Sequence, residues 1–299
     1  MKASVISVPC VQAIPDASGR SAGLGKAADA YIASGLFNRI SDLGVELVDS
    51  SRPLLPDDRL SLDPIVNLGR YNAMVAQSVV KEINAGARPL LAGGTCCHLI
   101  GMLSGMQAAY GATSKIGLVW IDAHGDFNTP RTSKSGMLGG MPVAVSAGLC
   151  LAPWRELAGM TGPIPTDRIL MVDVRNLDPK EADLIKATDV SIVKFGPHGN
   201  TDAVASGIQR LAEKVDHIYL HVDSDILDAS LQPNHPSVEP DGPDLPALLK
   251  VLRHAFGTGK VRAFGVVSVD PTGPLGDVSL HSGAEMILGG MAAWHQLEP

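Results

Sequence analysis

Two apolar runs that end in closely spaced acids constrain this sequence most. The first is Ile116–Ile121, followed at once by Asp122-Ala123-His124-Gly125-Asp126. The second, residues 218–222, leads into Asp223-Ser224-Asp225. Continuous apolar runs of this length read as strands buried on both faces, as in a parallel sheet. Ligand groups gather where such strands end, at their carboxyl edge. In extended chain, residues two apart point the same way, so Asp122, His124 and Asp126 can face one cavity. Taken singly, Asp-x-His-x-Asp reads equally well as turn-capping acids beside a loop histidine. Its recurrence as Asp223-Ser224-Asp225 favours another reading. Four carboxylates crowded at one sheet edge repel unless a cation is present. Two metal ions about 3.5–4 Å apart, bridged by carboxylates, meet that need. Carboxylate and neutral imidazole suit Mn, Zn, Co or Ni.

The rest of the chain fits such a sheet. Strands are expected near residues 4–8, 45–48, 90–92, 116–121, 168–173, 190–193, 218–222 and 261–269. Helices are expected near 26–40, 65–85, 97–110, 141–151, 180–185, 201–215, 245–256 and 281–294, with a loop over 9–25. Strand–helix alternation predicts an α/β fold, three-layer α/β/α with a central, mostly parallel sheet. With no repeat and no linker, residues 1–299 read as one domain. Apolar residues make up 45 % of the chain but aromatics only 4 %, so the core is expected to be aliphatic.

Several classes are disfavoured. A net charge of −7 does not suit nucleic acid or an anionic membrane. No stretch reaches the roughly 18 apolar residues of a membrane helix, and the apolar run at the N-terminus is too short for a signal peptide. The four cysteines, Cys10, Cys96, Cys97 and Cys150, suggest no disulfide framework, so a reducing cytoplasm is expected.

Trp120-Ile121-Asp122-Ala123-His124-Gly125-Asp126-Phe127-Asn128-Thr129-Pro130, together with Asp223-Ser224-Asp225-Ile226-Leu227-Asp228, resembles the ureohydrolase family of arginases, agmatinases and their relatives. Asn128-Thr129-Pro130 and Ser133-Lys134-Ser135-Gly136-Met137-Leu138-Gly139-Gly140-Met141-Pro142 resemble the arginase branch. Val174-Arg175-Asn176-Leu177-Asp178-Pro179-Lys180-Glu181 resembles a further family segment. Order and spacing agree from about residue 90 to 275, and the first 85 residues follow the family layout only loosely.

The resemblance implies two divalent metal ions, usually manganese, held by Asp122, His124, Asp126, Asp223 and Asp225. Asp122 and Asp223 would be the bridging carboxylates. It implies hydrolysis of a C–N bond in a small molecule by a hydroxide shared between the ions, with Asp126 among the catalytic groups. Asn128 and Ser135 match positions that hold the carboxylate end of the substrate. Asp178 matches one that engages its amino group, with Glu181 assisting; Asp178-Pro179 reads equally well as a helix N-cap with proline at N1. A trimer or hexamer of identical chains is implied as well.

Three positions depart from the family pattern. Cys96 stands where the family carries a histidine ligand. A thiolate there favours Zn, Co or Ni over Mn, unless His98 takes over or the cysteines only pack. Gly139 stands where arginases carry a proton-shuttling histidine; His235, in Pro233-Asn234-His235-Pro236, is a candidate substitute, or else a plain loop residue. Ser268 stands where the family grips the guanidinium with a glutamate. Serine cannot form the bidentate ion pair of a carboxylate, which argues against arginine and brings in a neutral amide, ureide or other C–N electrophile. Asp270 is expected on the same strand face as Ser268. The reading is a binuclear metal-dependent hydrolase of a guanidino, amidino, ureido or amide C–N bond. The alternatives are a degenerate family member acting as a partner subunit and, further off, a true arginase.

Overall fold

The computed structural model describes residues 1–8 and 20–298. The expected loop over 9–25 and Cys10 lie largely or wholly outside them. Eight parallel strands form one sheet: β1 (Lys2–Ser7), β2 (Glu46–Ser51), β3 (Arg88–Ala92), β4 (Ile116–Ile121), β5 (Ile169–Val172), β6 (Ser191–Val193), β7 (His217–Asp223) and β8 (Val261–Val267). Their order across the sheet is β2-β1-β3-β8-β7-β4-β5-β6. Every residue of β4 is buried, as are six of the seven in β7. The edge strands β2 and β6 are partly exposed, as edges must be.

Helices cover both faces. One face carries α1 (Ala27–Ala33), α2 (Leu36–Asp42), α8 (Thr201–Lys214), α9 (Leu245–Gly257) and α10 (Gly276–Leu297). The other carries α3 (Pro64–Asn84), α4 (Leu99–Tyr110), α5 (Pro142–Ser146), α6 (Ala152–Leu157) and α7 (Pro179–Lys186). Alternation along β4 divides the core between them: Val119 and Ile121 face the first layer, Leu118 and Trp120 the second. The aliphatic core and three-layer plan agree with the sequence, and the sheet is parallel throughout.

Two helix predictions change. The single helix expected over 26–40 is two, because Gly35 adopts φ 72° and breaks the run. The helix expected over 141–151 ends at Ser146, and a separate helix, Ala152–Leu157, follows after Leu151 takes φ 45°.

The strand order positions the site. β3 and β4 follow one another in the chain but are separated in the sheet by β8 and β7. The four strands β3-β8-β7-β4 therefore deliver their carboxyl ends side by side, at a topological switch point. Register aligns them: Trp120 pairs with His221 and Asp223 with Val267. Beyond the strands, the Ser268 amide donates to Gly94 O at 2.9 Å.

Candidate metal centre

All five expected carboxylate and histidine positions meet at this edge. Asp122 and Asp223, the first residues after the β4 and β7 apolar runs, lie buried next to Cys96. Cys96, Asp122 and Asp223 offer ligand atoms within 4.8 Å of one another, as do Asp122, His124 and Asp225, and Asp223, Asp225 and His235. Asp122, Asp223 and Asp225 are each in two of these groups. Asp126 is buried nearby with φ 46°, a left-handed conformation that turns the chain sharply after the motif.

Local hydrogen bonds hold the cluster in place. Asp122 Oδ1 accepts from the His124 amide at 2.7 Å, and Asp223 Oδ1 from the Asp225 amide at 3.1 Å. His124 Nδ1 lies 2.9 Å from Asp225 Oδ2, and its Nε2 lies 3.1 Å from Glu239 Oε1. Glu239 also accepts from Asn176 Nδ2 at 2.6 Å. Arg175 donates to Asp225 O at 2.9 Å and Pro240 O at 2.9 Å, tying the 225–240 loop to the site. Glu239 escaped the sequence reading, and Arg175 entered it only within a family-like segment, because a loop residue with a partner far along the chain leaves no local pattern.

The electrostatics are those of a cation site. Burial, then Asp225 and Asp223, push the Asp122 carboxyl well above the usual range. Burial raises Asp126 despite the nearby His124. Burial also works on Asp225, but His235 and His124 outweigh it and hold that carboxyl below the usual range. Burial pushes the Cys96 thiol well up, with Asp223, Asp126 and Asp122 adding to it. His235 is 9 % exposed, buried within its loop rather than on the surface. Its Nε2 lies 3.3 Å from Asp223 Oδ1 without a hydrogen-bond partner. Burial pushes His235 down, but Asp225 and Asp223 carry it up to about 9. Crowded buried acids beside an orphaned buried nitrogen suit divalent cations, which would satisfy both.

The departures resolve structurally. His98 turns away: its Nδ1 accepts from the Thr95 amide at 3.0 Å and its ring packs edge-on against Tyr71. Cys96 faces the acids, with Sγ 2.9 Å from Asp223 Oδ2. Ser268 Oγ donates to the same oxygen at 2.6 Å. A Cβ at Gly139 would meet only Met137, at 3.8 Å. Asp270 is not on the face expected for it: β8 has ended, Ser268 has φ 63°, and Asp270 Oδ1 binds Thr272 N and Oγ1 at 2.8 and 2.6 Å.

The outer residues form a second group. Asn128 is buried; its Nδ2 lies 3.4 Å from Asp178 Oδ2, and its Oδ1 accepts from Thr132 Oγ1 at 2.9 Å. Lys134 Nζ reaches Asp178 Oδ1 at 3.0 Å. Ser135 is exposed and accepts from the Met137 amide at 3.2 Å. Asp178 does stand at the start of α7, with Pro179 at N1. Glu181 accepts from the Asp178 amide at 3.1 Å and the Phe127 amide at 2.8 Å, which joins α7 to the metal loop.

Fold and acid cluster together define an α/β protein shaped to hold divalent cations. The Arginase family profile matches residues 12–290. The arginase of Bacillus caldovelox is 30 % identical over 197 residues, 65 % of this chain and 65 % of that enzyme's length. The mitochondrial Arginase-2 of Oryctolagus cuniculus is 30 % identical over 257 residues, 80 % of this chain and 70 % of that one. A crystal structure of Bacillus subtilis arginase superposes with a TM-score of 0.85 at 25 % identity, covering 97 % of this chain and 98 % of that one. The chain belongs to the arginase family, whose members are metal-dependent hydrolases of C–N bonds.

Proposed function

We propose that this chain hydrolyses a non-peptide C–N bond in a small ureido, amide, amidino or guanidino compound, and that arginine itself fits it poorly. The observation that carries the substrate argument is Ser268. Its hydroxyl is committed to Asp223 Oδ2 at 2.6 Å, at the position where the resemblance calls for a carboxylate to pair with a guanidinium. A neutral electrophile needs no such counter-ion, whereas a buried cation without one is strongly disfavoured.

Cys96, Asp122, His124, Asp126, Asp223 and Asp225 would hold two divalent ions, which when bound supply hydroxide at neutral pH and polarise the substrate. The remaining work falls to the chain. Glu239 would hold His124 Nε2, which fixes the ring's tautomer and orientation and leaves Nδ1, beside Asp225, for the ion. His235, buried against Asp223, is placed to carry a proton between the site and the leaving nitrogen. Asn128, Ser135 and Asp178 would bind the polar end of the substrate. We also propose that residues 1–299 work as one unit within a cytoplasmic homo-oligomer.

The test is a substrate panel with protein loaded in turn with Mn, Zn, Co and Ni. Ureido, amide, amidino and guanidino compounds are assayed for ammonia or urea release. Turnover of a compound other than arginine, abolished by Asp122→Ala, is the expected result. Efficient release of urea from arginine would instead make this a true arginase. Full metal loading with no turnover would support the second reading, a non-catalytic partner subunit, which the departures at Cys96, Gly139 and Ser268 motivate.

A further inference from the structure

The loop that follows the first metal motif brings positive charge to the outer group of residues. Residues 127–137 contain no acid and two cations, Arg131 and Lys134. Lys134 Nζ lies 3.0 Å from Asp178 Oδ1, and Asn128 Nδ2 lies 3.4 Å from Asp178 Oδ2. Both oxygens of Asp178 therefore have a partner from the protein itself. The sequence resemblance assigns Asp178 to an amino group of the substrate; here the chain's own ammonium stands in that place. The Lys134 side chain is 71 % exposed against 27 % for Asp178, so the lysine covers the acid from the solvent side. Close by in the loop, Ser133 Oγ accepts from the Gly136 amide at 3.0 Å and Ser135 Oγ from the Met137 amide at 3.2 Å. The two hydroxyl oxygens lie 3.5 Å apart. Each hydroxyl has one proton to give, so even if one is spent on the other, the second is left for a ligand.

We propose that Lys134 is a specificity-determining residue, and that the substrate ends in a carboxylate with no amino group beside it. The proposal rests on the reading of this chain as a C–N hydrolase and names the class of compound: a ureido or amide derivative of a simple carboxylic acid, negatively charged overall. An incoming ammonium group would have to displace Lys134 from Asp178. That exchanges one ion pair for another without net gain, and it sets two like charges side by side. A carboxylate meets the opposite situation. Lys134 has three donors and spends one on Asp178, and the amide nitrogen of Asn128 has a second proton to give. The serine hydroxyls add a neutral donor. An ammonium-to-carboxylate hydrogen bond is among the stronger ones. The two ends of the site then agree. Ser268, committed to Asp223 at 2.6 Å, supplies no counter-ion for a cation at the reacting end. Lys134, committed to Asp178 at 3.0 Å, takes the counter-ion at the outer end.

The test compares matched ligands on metal-loaded, full-length protein. The probes are the ω-ureido acids of three, four and five carbons, each beside its 2-amino counterpart, which for five carbons is citrulline. Calorimetry gives the dissociation constant, or steady-state kinetics the KM where a compound is hydrolysed. At the chain length that binds best, the plain acid is expected to bind about 10-fold more tightly than its 2-amino counterpart. That is the low end for a hydrogen bond to a charged group, because Lys134 is largely exposed. Lys134→Gln is expected to close the gap: the plain acid loses about 10-fold and the 2-amino compound loses nothing. An unchanged urea midpoint shows that the variant is folded. A 2-amino compound that binds as tightly as its plain acid at every length would overturn the proposal, as would a Lys134→Gln variant that keeps the original ratio. Both results leave the hydrolase reading intact. Failure of all the acids to bind overturns the proposal too. Turnover of a compound without an acid end would then leave the hydrolase reading standing, and no turnover of any compound would remove that reading as well.

Discussion

Asp223 divides its two oxygens among three hydrogen-bond donors and also faces a histidine nitrogen. Oδ2 receives Cys96 Sγ and Ser268 Oγ; Oδ1 receives the Asp225 amide and faces His235 Nε2. The sequence marked three of these partners. Asp225 stood out by spacing, and Cys96 and Ser268 by departing from a family pattern. His235 was visible only as a histidine downstream of the second acid pair, and its burial came from the fold. The residue that best separates chemistry from architecture is His235. His235→Asn is expected to lower kcat about 10²–10⁴-fold, the usual contribution of a positioned proton carrier, with metal content unchanged. Steady-state kinetics beside elemental analysis check this; loss of metal in the variant would make His235 a ligand instead.

At the scale of elements, α7 does more than cover the sheet. Glu181, in its first turn, accepts the amides of both Asp178 and Phe127. One side chain thus caps the helix and fixes the loop that follows the first metal motif. Glu181→Ala would leave the buried Phe127 amide without its partner, at a cost of about 1–3 kcal/mol. Glu181→Gln, which keeps an acceptor, is expected to recover most of that loss in urea unfolding. The sequence resemblance marked Glu181 as an assistant to Asp178, whose amide it accepts. Most elements were readable because their signals are local. Apolar runs gave β4 and β7, and an apolar stripe gave α3 and α8. The break at Gly35 and the extra helix α6 were missed because each depends on one residue's left-handed backbone, at Gly35 and Leu151, which composition alone does not reveal.

For the molecule as a whole, the two edges of the sheet differ in chemistry. The carboxyl edge gathers acids. At the opposite edge, His217 at the start of β7 stacks on Tyr110, with centroids 3.8 Å apart. Burial lowers its pKa, as do Arg262, Lys260 and Arg88, with Asp216 opposing them. Between the ordinary histidine value of about 6.5 and this depressed one, the unfolded chain holds a proton that the folded chain refuses. Stability therefore falls as pH drops through that window. His217→Gln is expected to flatten part of that slope, as measured by urea midpoints at pH 7 and about pH 5.

The strand order has a further consequence, for synthesis. β7 and β8 are the last strands made, yet they lie at the centre of the sheet, between β3 and β4. Until β7 has emerged β4 presents an unpaired edge, and until β8 has emerged β3 does, the kind of surface that invites aggregation. The sheet cannot close by simple addition from one end; a gap must be filled after both halves exist. Residues 96, 122, 223 and 268 come together only at that step. Metal capture would therefore report the completion of folding, and chains stalled before β8 would be the ones that need a chaperone.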